Sequence, residues 1–451
     1  MRYLLLLSLS LLSLHAMTLD ESIAYALEHN NALKQADVSI ERSKAVRDGK
    51  QAQNFGRVDL LASYDHYNNA RTLAPLTPMS IVGSADGAYT IPTTKDMFIV
   101  GLAYNVVLFD GFAQQNSYKI SDLQYQNATI KSRLGREEVI YNVRNLYISL
   151  LALEEQLEAQ NLYTKAQERL LARIQKEREL GSKSRLDLLR AQNSVEASRA
   201  QATTMEANIA ILKATLSSLM GDKEFDDATP IEIAVDQEPS SSVTETEITS
   251  LNRYKATEIN IEAQARKKEQ TKSSYYPRID FSAYYGQNFG PNDTSNTVPP
   301  LSTAPTAGQT VIEKGDWNNE DNWQVGLHLK WNLLDFGATS SRNQEAQLSY
   351  LQAQLESDGV QIELRKSIIT AQNKIKLAIA QYNNAAAQYE LLSETEKIEQ
   401  VRYDNKAAAL TDLLDTSAKK ELAHAQMINA KYSYQKAKFY LDYLLEKGEN
   451  Q

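Results

Sequence analysis

The sequence predicts a mostly helical α+β protomer, duplicated internally, in which each half supplies one antiparallel β-hairpin and one long helical hairpin. Three observations carry this. First, Gly101-Leu102 through Val107-Leu108-Phe109-Asp110-Gly111 returns as Gly326-Leu327 through Asn332-Leu333-Leu334-Asp335-Phe336-Gly337, an offset of 225 residues. The same offset lays Leu186-Asp187-Leu188-Leu189 on Thr411-Asp412-Leu413-Leu414. Arg57-Val58-Asp59-Leu60 pairs with Arg278-Ile279-Asp280-Phe281 at 221, so an indel lies in the loop between. A unit this long is too large for a solenoid repeat and reads as one tandem duplication. Second, Ala113 to Leu180 contains no proline and a single glycine, Gly135. As one α-helix, a run of about 68 residues spans roughly 100 Å. Third, two stretches in each half alternate with period two.

Taken in chain order, residues 1–16 read as a secretory signal peptide. Arg2 precedes an apolar run from Leu4 to Leu14, too short for a membrane span, and Ala16 offers a small residue at the cut. The first repeat is 17–225. It opens with a helix from about Leu19 to Asn54, followed by a β-hairpin over about 57–109 and a helical hairpin over about 112–220. Leu146, Leu150, Leu153 and Leu157 form a packing seam on the long helix. The break Leu180-Gly181-Ser182-Lys183 turns the chain into an antiparallel partner. Residues 221–243, rich in Asp, Glu, Ser and Pro, read as a surface-exposed equatorial connector. The second repeat, 244–451, holds a helix to about Tyr275, a hairpin over about 278–334 and a helical hairpin over about 337–447. Ile368, Ile375, Ile379, Tyr382 and Tyr389 make its stripe, and Asn405-Lys406-Ala407 its break. By length, the helix from Ser184 and that from Glu245 sum to one long helix. The last helix and the first sum to the other, so the sequence predicts end-to-end stacking in those pairs.

In the strands, Phe98, Val100, Leu102, Tyr104, Val106 and Leu108 alternate with Ile99, Gly101, Ala103, Asn105 and Val107. In the repeat, Trp323, Val325, Leu327, Leu329, Trp331 and Leu333 alternate with Gln324, Gly326, His328, Lys330 and Asn332. An apolar face with aromatics near its ends is the pattern of a membrane β-barrel strand. A half-buried soluble sheet has the same period. Export, and the absence of a globular core for so long a helix pair to hold the sheet against, favour the membrane. Four strands cannot close a barrel, and open edges in lipid would leave backbone groups unpaired. Closure therefore needs several chains: two would give eight strands, three would give twelve.

Composition narrows the chemistry. The chain has no cysteine and five histidines, His15, His29, His66, His328 and His424, with no zinc spacing and no nucleophile pair. No catalytic, cofactor or metal site is expected, and the protein reads as no enzyme. A net charge of -9 with both signs interspersed disfavours a nucleic-acid partner.

With these features in hand, the chain resembles the TolC-like outer-membrane efflux family over essentially all of its mature length. Thr18-Leu19-Asp20-Glu21-Ser22-Ile23 with Ala26-Leu27-Glu28-His29-Asn30 is similar to the family's first helix. Leu108-Phe109-Asp110-Gly111 and Leu333-Leu334-Asp335-Phe336-Gly337 resemble its barrel-to-helix corners, and Gly181 to Leu189 and Tyr403 to Asp415 its two periplasmic turns. The resemblance implies a homotrimer, with a 12-stranded outer-membrane β-barrel continued by a 12-helix periplasmic α-helical barrel. It also implies docking of a periplasmic adaptor and an inner-membrane pump or ABC exporter at the tips. By the same resemblance Asp412 and Asp415 are the pore constriction and Asp187 and Tyr403 the closed-state lock. Gly181, Ser182, Leu186, Lys406 and Leu410 are the adaptor-docking tips. A family arginine of the lock is matched here by Ala408.

The expected function is thus a passive outer-membrane exit duct for efflux or type I secretion, seated in outer-membrane lipid. The other class of reading is a periplasmic coiled-coil scaffold or adhesin without a pore. Drug, protein and metal-ion cargo all stay open, although the scarcity of Met and His among the tunnel-facing candidates weighs slightly against metal specialisation.

Overall fold

The computed structural model describes residues 16–76, 91–235, 245–293 and 314–448. The signal segment falls outside them except for Ala16, as do the end of the connector and the middle of the loop in each β-hairpin. The elements are α1 (Leu19–His29), α2 (Asn31–Ala52), β1 (Arg57–Thr72), β2 (Thr93–Phe109), α3 (Ala113–Glu179), α4 (Arg185–Leu219), α5 (Glu245–Ser250), α6 (Asn252–Thr271), β3 (Arg278–Pro291), β4 (Trp317–Lys330), α7 (Ala338–Asp404) and α8 (Leu410–Leu444). They fall into two compact units, each drawn from both halves of the sequence. Arg42–Tyr125 with Asn260–Ala353 forms the strand-bearing unit, and Met1–Glu41, Gln126–Ile259 and Gln354–Gln451 form the helical one. No helix among the described residues is long and apolar enough to cross a membrane.

In the strand-bearing unit, four antiparallel strands pair in the order β1-β2-β3-β4. Each strand runs a few residues further into the hairpin loops than the alternation suggests, except that β4 stops at Lys330. There Trp331 Nε1 bonds Tyr275 O, and the chain leaves the sheet. Register sets the apolar residues in rows across all four strands: Leu60, Leu102, Tyr285 and Trp323 in one, and Val58, Tyr104, Ala283 and Val325 in the next. This face is open to its surroundings, with Leu60 72% and Trp323 70% exposed. Ten residue steps from Phe98 to Leu108 on β2 cover ~33 Å of strand, enough for a barrel's apolar band of about 25 Å once tilted. The opposite face carries small and polar residues. Tyr284 lies flat across Gly101 and Gly286, where a Cβ would stand 2.6 and 2.4 Å from its hydroxyl.

Both strand-to-helix corners are built by one device. Asp110 Oδ2 accepts from Gln114 N at 2.9 Å and Asp335 Oδ2 from Thr339 N at 2.7 Å, each filling an amide vacancy at the start of a long helix. Two consecutive left-handed residues follow each aspartate, Gly111 and Phe112 (φ 64° and 66°) in one half and Phe336 and Gly337 (φ 55° and 95°) in the other. The residue order is inverted, but the backbone path is the same.

The core of the helical unit gathers α1, α3, α4, α8 and the connector around Tyr147, which is fully buried. Its hydroxyl lies 2.7 Å from Met17 O and 2.9 Å from Thr229 O, tying the start of the described chain to the connector. Met17 pairs with Ala228 in a short parallel bridge. The connector is thus not simply surface: Phe225 and Ala228 are buried, because Tyr147 and the bridge draw them inward. On α7, Ile368 and Ile375 are buried, the first against α5 and the second against α8.

The end-to-end helix joints differ from the pairing that the lengths suggest. Asn30 breaks the first helix, its Oδ1 accepting from Ala32 N and Leu33 N while Nδ2 donates to Leu219 O at 2.7 Å. One carboxamide thereby caps the start of α2 and the end of α4. In the second half the Glu446 carboxylate accepts from Asn252 N (2.7 Å) and Arg253 N (3.0 Å), joining the end of α8 to the start of α6. Each half therefore completes its own column, α4 with α2 and α8 with α6. Hydrogen-bonding demand at the helix ends, which length alone does not express, selects the partner.

Replacing the buried Asn30 by alanine removes both caps and should cost about 1–2 kcal/mol. Asn30→Asp keeps the acceptor and loses the donor, so thermal unfolding in detergent should rank wild type above Asp above Ala.

Candidate functional site

The tips of the helical hairpins bring together most of the residues singled out from sequence. Both turns close the same way. Ser182 N bonds Glu177 O and Gly181 N bonds Arg178 O, both at 2.9 Å; Ala407 N bonds Arg402 O and Lys406 N bonds Tyr403 O, at 2.7 and 3.0 Å. Such paired bonds require a left-handed residue, supplied by Gly181 (φ 74°) and by Lys406 (φ 58°). Glycine adopts this conformation freely, whereas lysine does so against a steric cost of about 1 kcal/mol. Gly181, Ser182, Leu186 and Lys406 are exposed, with Leu180 and Leu189 adding apolar surface at the first tip. Leu410 is not on that surface. It is 3% exposed, enclosed by the tip's own apolar plug.

That plug comprises Ile174, Ala191, Tyr403, Leu410 and Leu413, one or more from each of α3, α4, α7 and α8, with Leu170 and Leu188 packed against it. It locks the two hairpins together inside one chain. Tyr403 is buried at its centre and its hydroxyl has no hydrogen-bond partner. Its ring instead meets two cations of the first hairpin, Lys183 at 4.5 Å and Arg173 at 5.5 Å from the centroid.

Asp187 is engaged elsewhere. Ser184 Oγ accepts from Asp187 N at 3.1 Å while the Asp187 carboxylate accepts from Ser184 N at 3.2 Å, a reciprocal cap at the start of α4. The bond from the Ser184 hydroxyl, foremost, holds this carboxyl below the usual range. Asp187 and Tyr403 are therefore neighbours at one tip without a bond between them.

The link between hairpins that sequence does not reveal is Arg173. It bonds Asp404 on α7 and Glu177 on its own helix. The Asp404 carboxyl is held below its usual value first by Arg173 and then by Gln400. Ala408 has no side chain to make the link, and the guanidinium comes from the opposite hairpin. Its partner lies 231 residues away in the chain, so no local pattern announces the pair.

Asp412 and Asp415 are both exposed on the first turns of α8. Asp412 sits where Asp187 sits in the first half, but only part of the cap is kept: its carboxylate accepts from Ala409 N at 3.3 Å, and alanine returns nothing. Asp415 pairs with Lys419 at 2.6 Å, an exposed bridge of small energetic weight. Further along α8, Glu421 lines a groove with Tyr163, Arg190, Ser194 and Asp415. Burial, above all, pushes its carboxyl upward; Lys420 opposes and Glu396 adds to the shift.

A pore-forming outer-membrane protein is the class this arrangement defines: an exposed apolar sheet face, long helices with no membrane span, and charged helical tips. The pattern of the outer membrane efflux protein family matches residues 23–222 and again 254–445, and the chain belongs to that family. Solved structures agree on the fold. A membrane protein from Pseudomonas aeruginosa superposes with a TM-score of 0.76 at 17% identity, covering 95% of this chain and 90% of that one. The CmeC outer membrane channel of Campylobacter jejuni gives 0.75 at 17%, covering 95% and 86%. The outer membrane protein VceC of Vibrio cholerae gives 0.75 at 15%, covering 95% and 96%. Comparison with curated protein sequences finds no match. The protein is an outer-membrane efflux duct reaching into the periplasm, and not an enzyme.

Native Glu421 holds its proton more tightly than the unfolded chain, so the native state binds more protons and stability falls as pH rises above about 4.5. Glu421→Gln should therefore raise the Tm at neutral pH and flatten its decline between acid and neutral pH, read by thermal unfolding across a pH series.

Proposed function

We propose that three copies of the chain form a passive exit duct, a 12-stranded barrel continued by an α-helical barrel, serving a tripartite efflux or type I secretion system. The observation that carries this is the sheet itself: among the described residues, four strands with an apolar exposed face, β1 and β4 each left with one unpaired edge. In lipid both edges need partners. A second feature supports the same assembly. Leu355, Ile362 and Ile369, then Leu391 and Ile398, recur every seven residues on α7 and are all more than half exposed. A heptad seam left open in one chain fits a neighbouring helix.

Within this assembly Asp412 and Asp415 stand one turn apart on one helix face, and three copies ring the periplasmic mouth with carboxylates. The ring attracts cations and favours cation passage. The closed state is held by Arg173 with Asp404 and by Lys183 with the Tyr403 ring, while Asp187 acts through the cap of α4. Opening means parting the two hairpins at the Tyr403 plug. A periplasmic adaptor coupled to an inner-membrane pump or ABC exporter does this by docking on the exposed tip surface of Gly181, Ser182, Leu186 and Lys406.

Single-channel recording in planar bilayers tests the reading. Asp412→Asn with Asp415→Asn should lower cation selectivity and weaken block by trivalent ions without unfolding, since both side chains face water. Arg173→Ala should raise conductance several-fold by loosening the hairpin link. A double aspartate variant with wild-type selectivity and block would remove these residues from the constriction, and an Arg173→Ala pore with wild-type conductance would remove the latch.

A further inference from the structure

At the end of the sheet remote from the helices lies a buried polar cluster. β1 ends at Thr72, and the chain then crosses the sheet. Leu73 O accepts from Asn288 Nδ2 at 2.6 Å, and Asn288 belongs to β3, two strands away from β1. Asn288 is in register with Ile99 and Gly286 with Gly101, so its side chain rises from the small-residue face, opposite to Phe98, Val100 and Leu102. Reaching it from β1 carries residue 73 over β2 on that face. Leu73, Met97 and Asn288 are buried there at 1%, 6% and 8% exposure, whereas Asn105, nearer the helices on the same face, is exposed.

The surroundings hold this crossing in place. Thr93 N donates to Asn292 Oδ1 at 3.2 Å, Asp293 N donates to Thr93 O at 2.8 Å, and Asn292 N donates to Asp316 O at 2.8 Å. Thr94 and Asn292 are buried, and Gly290 has no room for a side chain, since a Cβ would stand 2.2 Å from Asp96 O. A buried carboxamide spent on a carbonyl two strands away positions backbone, because leaving either group unpaired costs about 1–3 kcal/mol. Beneath the crossing the wall is kept thin by Gly101 and Gly286, with Tyr284 flattened across them.

We propose that residues 73–76 form a fixed lip on the inner wall of the duct, anchored by Asn288, which narrows the outer mouth and sets an upper size for passing solutes. This rests on the barrel reading above, which makes the small-residue face the lumen and the strand ends far from the helices the cell exterior. Leu73 and Asn288 are then size-determining residues at the exit, independent of the carboxylates at the periplasmic mouth.

The absence of cysteine makes the lip testable in intact cells. Met97→Cys places one thiol beneath it, and Lys314→Cys places one on an exposed turn as a control. Both are treated from outside with a small methanethiosulfonate and with a bulky polyethylene-glycol maleimide. The small reagent should reach Cys at position 97 and the bulky one should be excluded. Adding Asn288→Ala should raise the bulky reagent's rate by about an order of magnitude as the crossing opens. Leu73→Gly, which leaves every strand residue intact, should do the same if Asn288→Ala lowers expression. Equal bulky labelling with and without either substitution overturns the lip. Failure of both reagents to reach Lys314→Cys in intact cells overturns instead the outer-membrane placement on which it rests.

Discussion

Hydrocarbon offers no hydrogen bonds, so a sheet placed in it must pair every edge. Among the described residues four strands present an exposed apolar face and two unpaired edges. In the proposed assembly further copies meet those edges. Copies arranged about an axis bring the small-residue face inward, which gives meaning to the flattened Tyr284 and to the pinned crossing at Leu73. The open heptad seam on α7 continues the same demand through the helices, where apolar side chains rather than backbone amides call for a neighbour.

The duplication preserves backbone conformation more faithfully than residue identity. Left-handed residues recur at matching positions of the two halves: Gly111 and Phe112 with Phe336 and Gly337, Gly181 with Lys406, Gly221 with Glu446. Only some of these are glycine. A helix end must be closed whatever residue stands there, and a non-glycine residue can take the strain when its side chain serves elsewhere. Glu446 shows this most clearly, since its carboxylate caps the start of α6. The tips show the reverse. Ser184 and Ala409 are matched in position, but only the serine completes its cap, so α8 begins less firmly held than α4. That asymmetry falls at the helix whose first turns carry Asp412 and Asp415.

The class of fold was legible because period-two alternation, long proline-free runs and a repeat are local or near-local signals. The long helices and the first three strands lie where those signals put them, whereas β4 stops at Lys330, short of Trp331 and Leu333. What the sequence could not show depends on contacts between distant residues. Helix lengths alone suggest other pairs of short helices, because the choice is made by Asn30 reaching Leu219 and Glu446 reaching Asn252 across some 190 residues. The connector looked like a polar surface loop, yet Phe225 is buried because Tyr147 stands beneath it. At the tip, the family resemblance implies a lock of Asp187 and Tyr403, yet Asp187 caps its own helix. Arg173 reaches Asp404 where Ala408 supplies nothing, a contact between residues far apart in the chain.

The mass of the folded protein in mild detergent tests the central claim most directly. Subunits that close one another's sheet edges and heptad seams should stay together once lipid is replaced by detergent, and native mass spectrometry should report three chains. A stable, fully folded single chain in detergent would mean that the sheet edges need no partner, and the account built on them would fail.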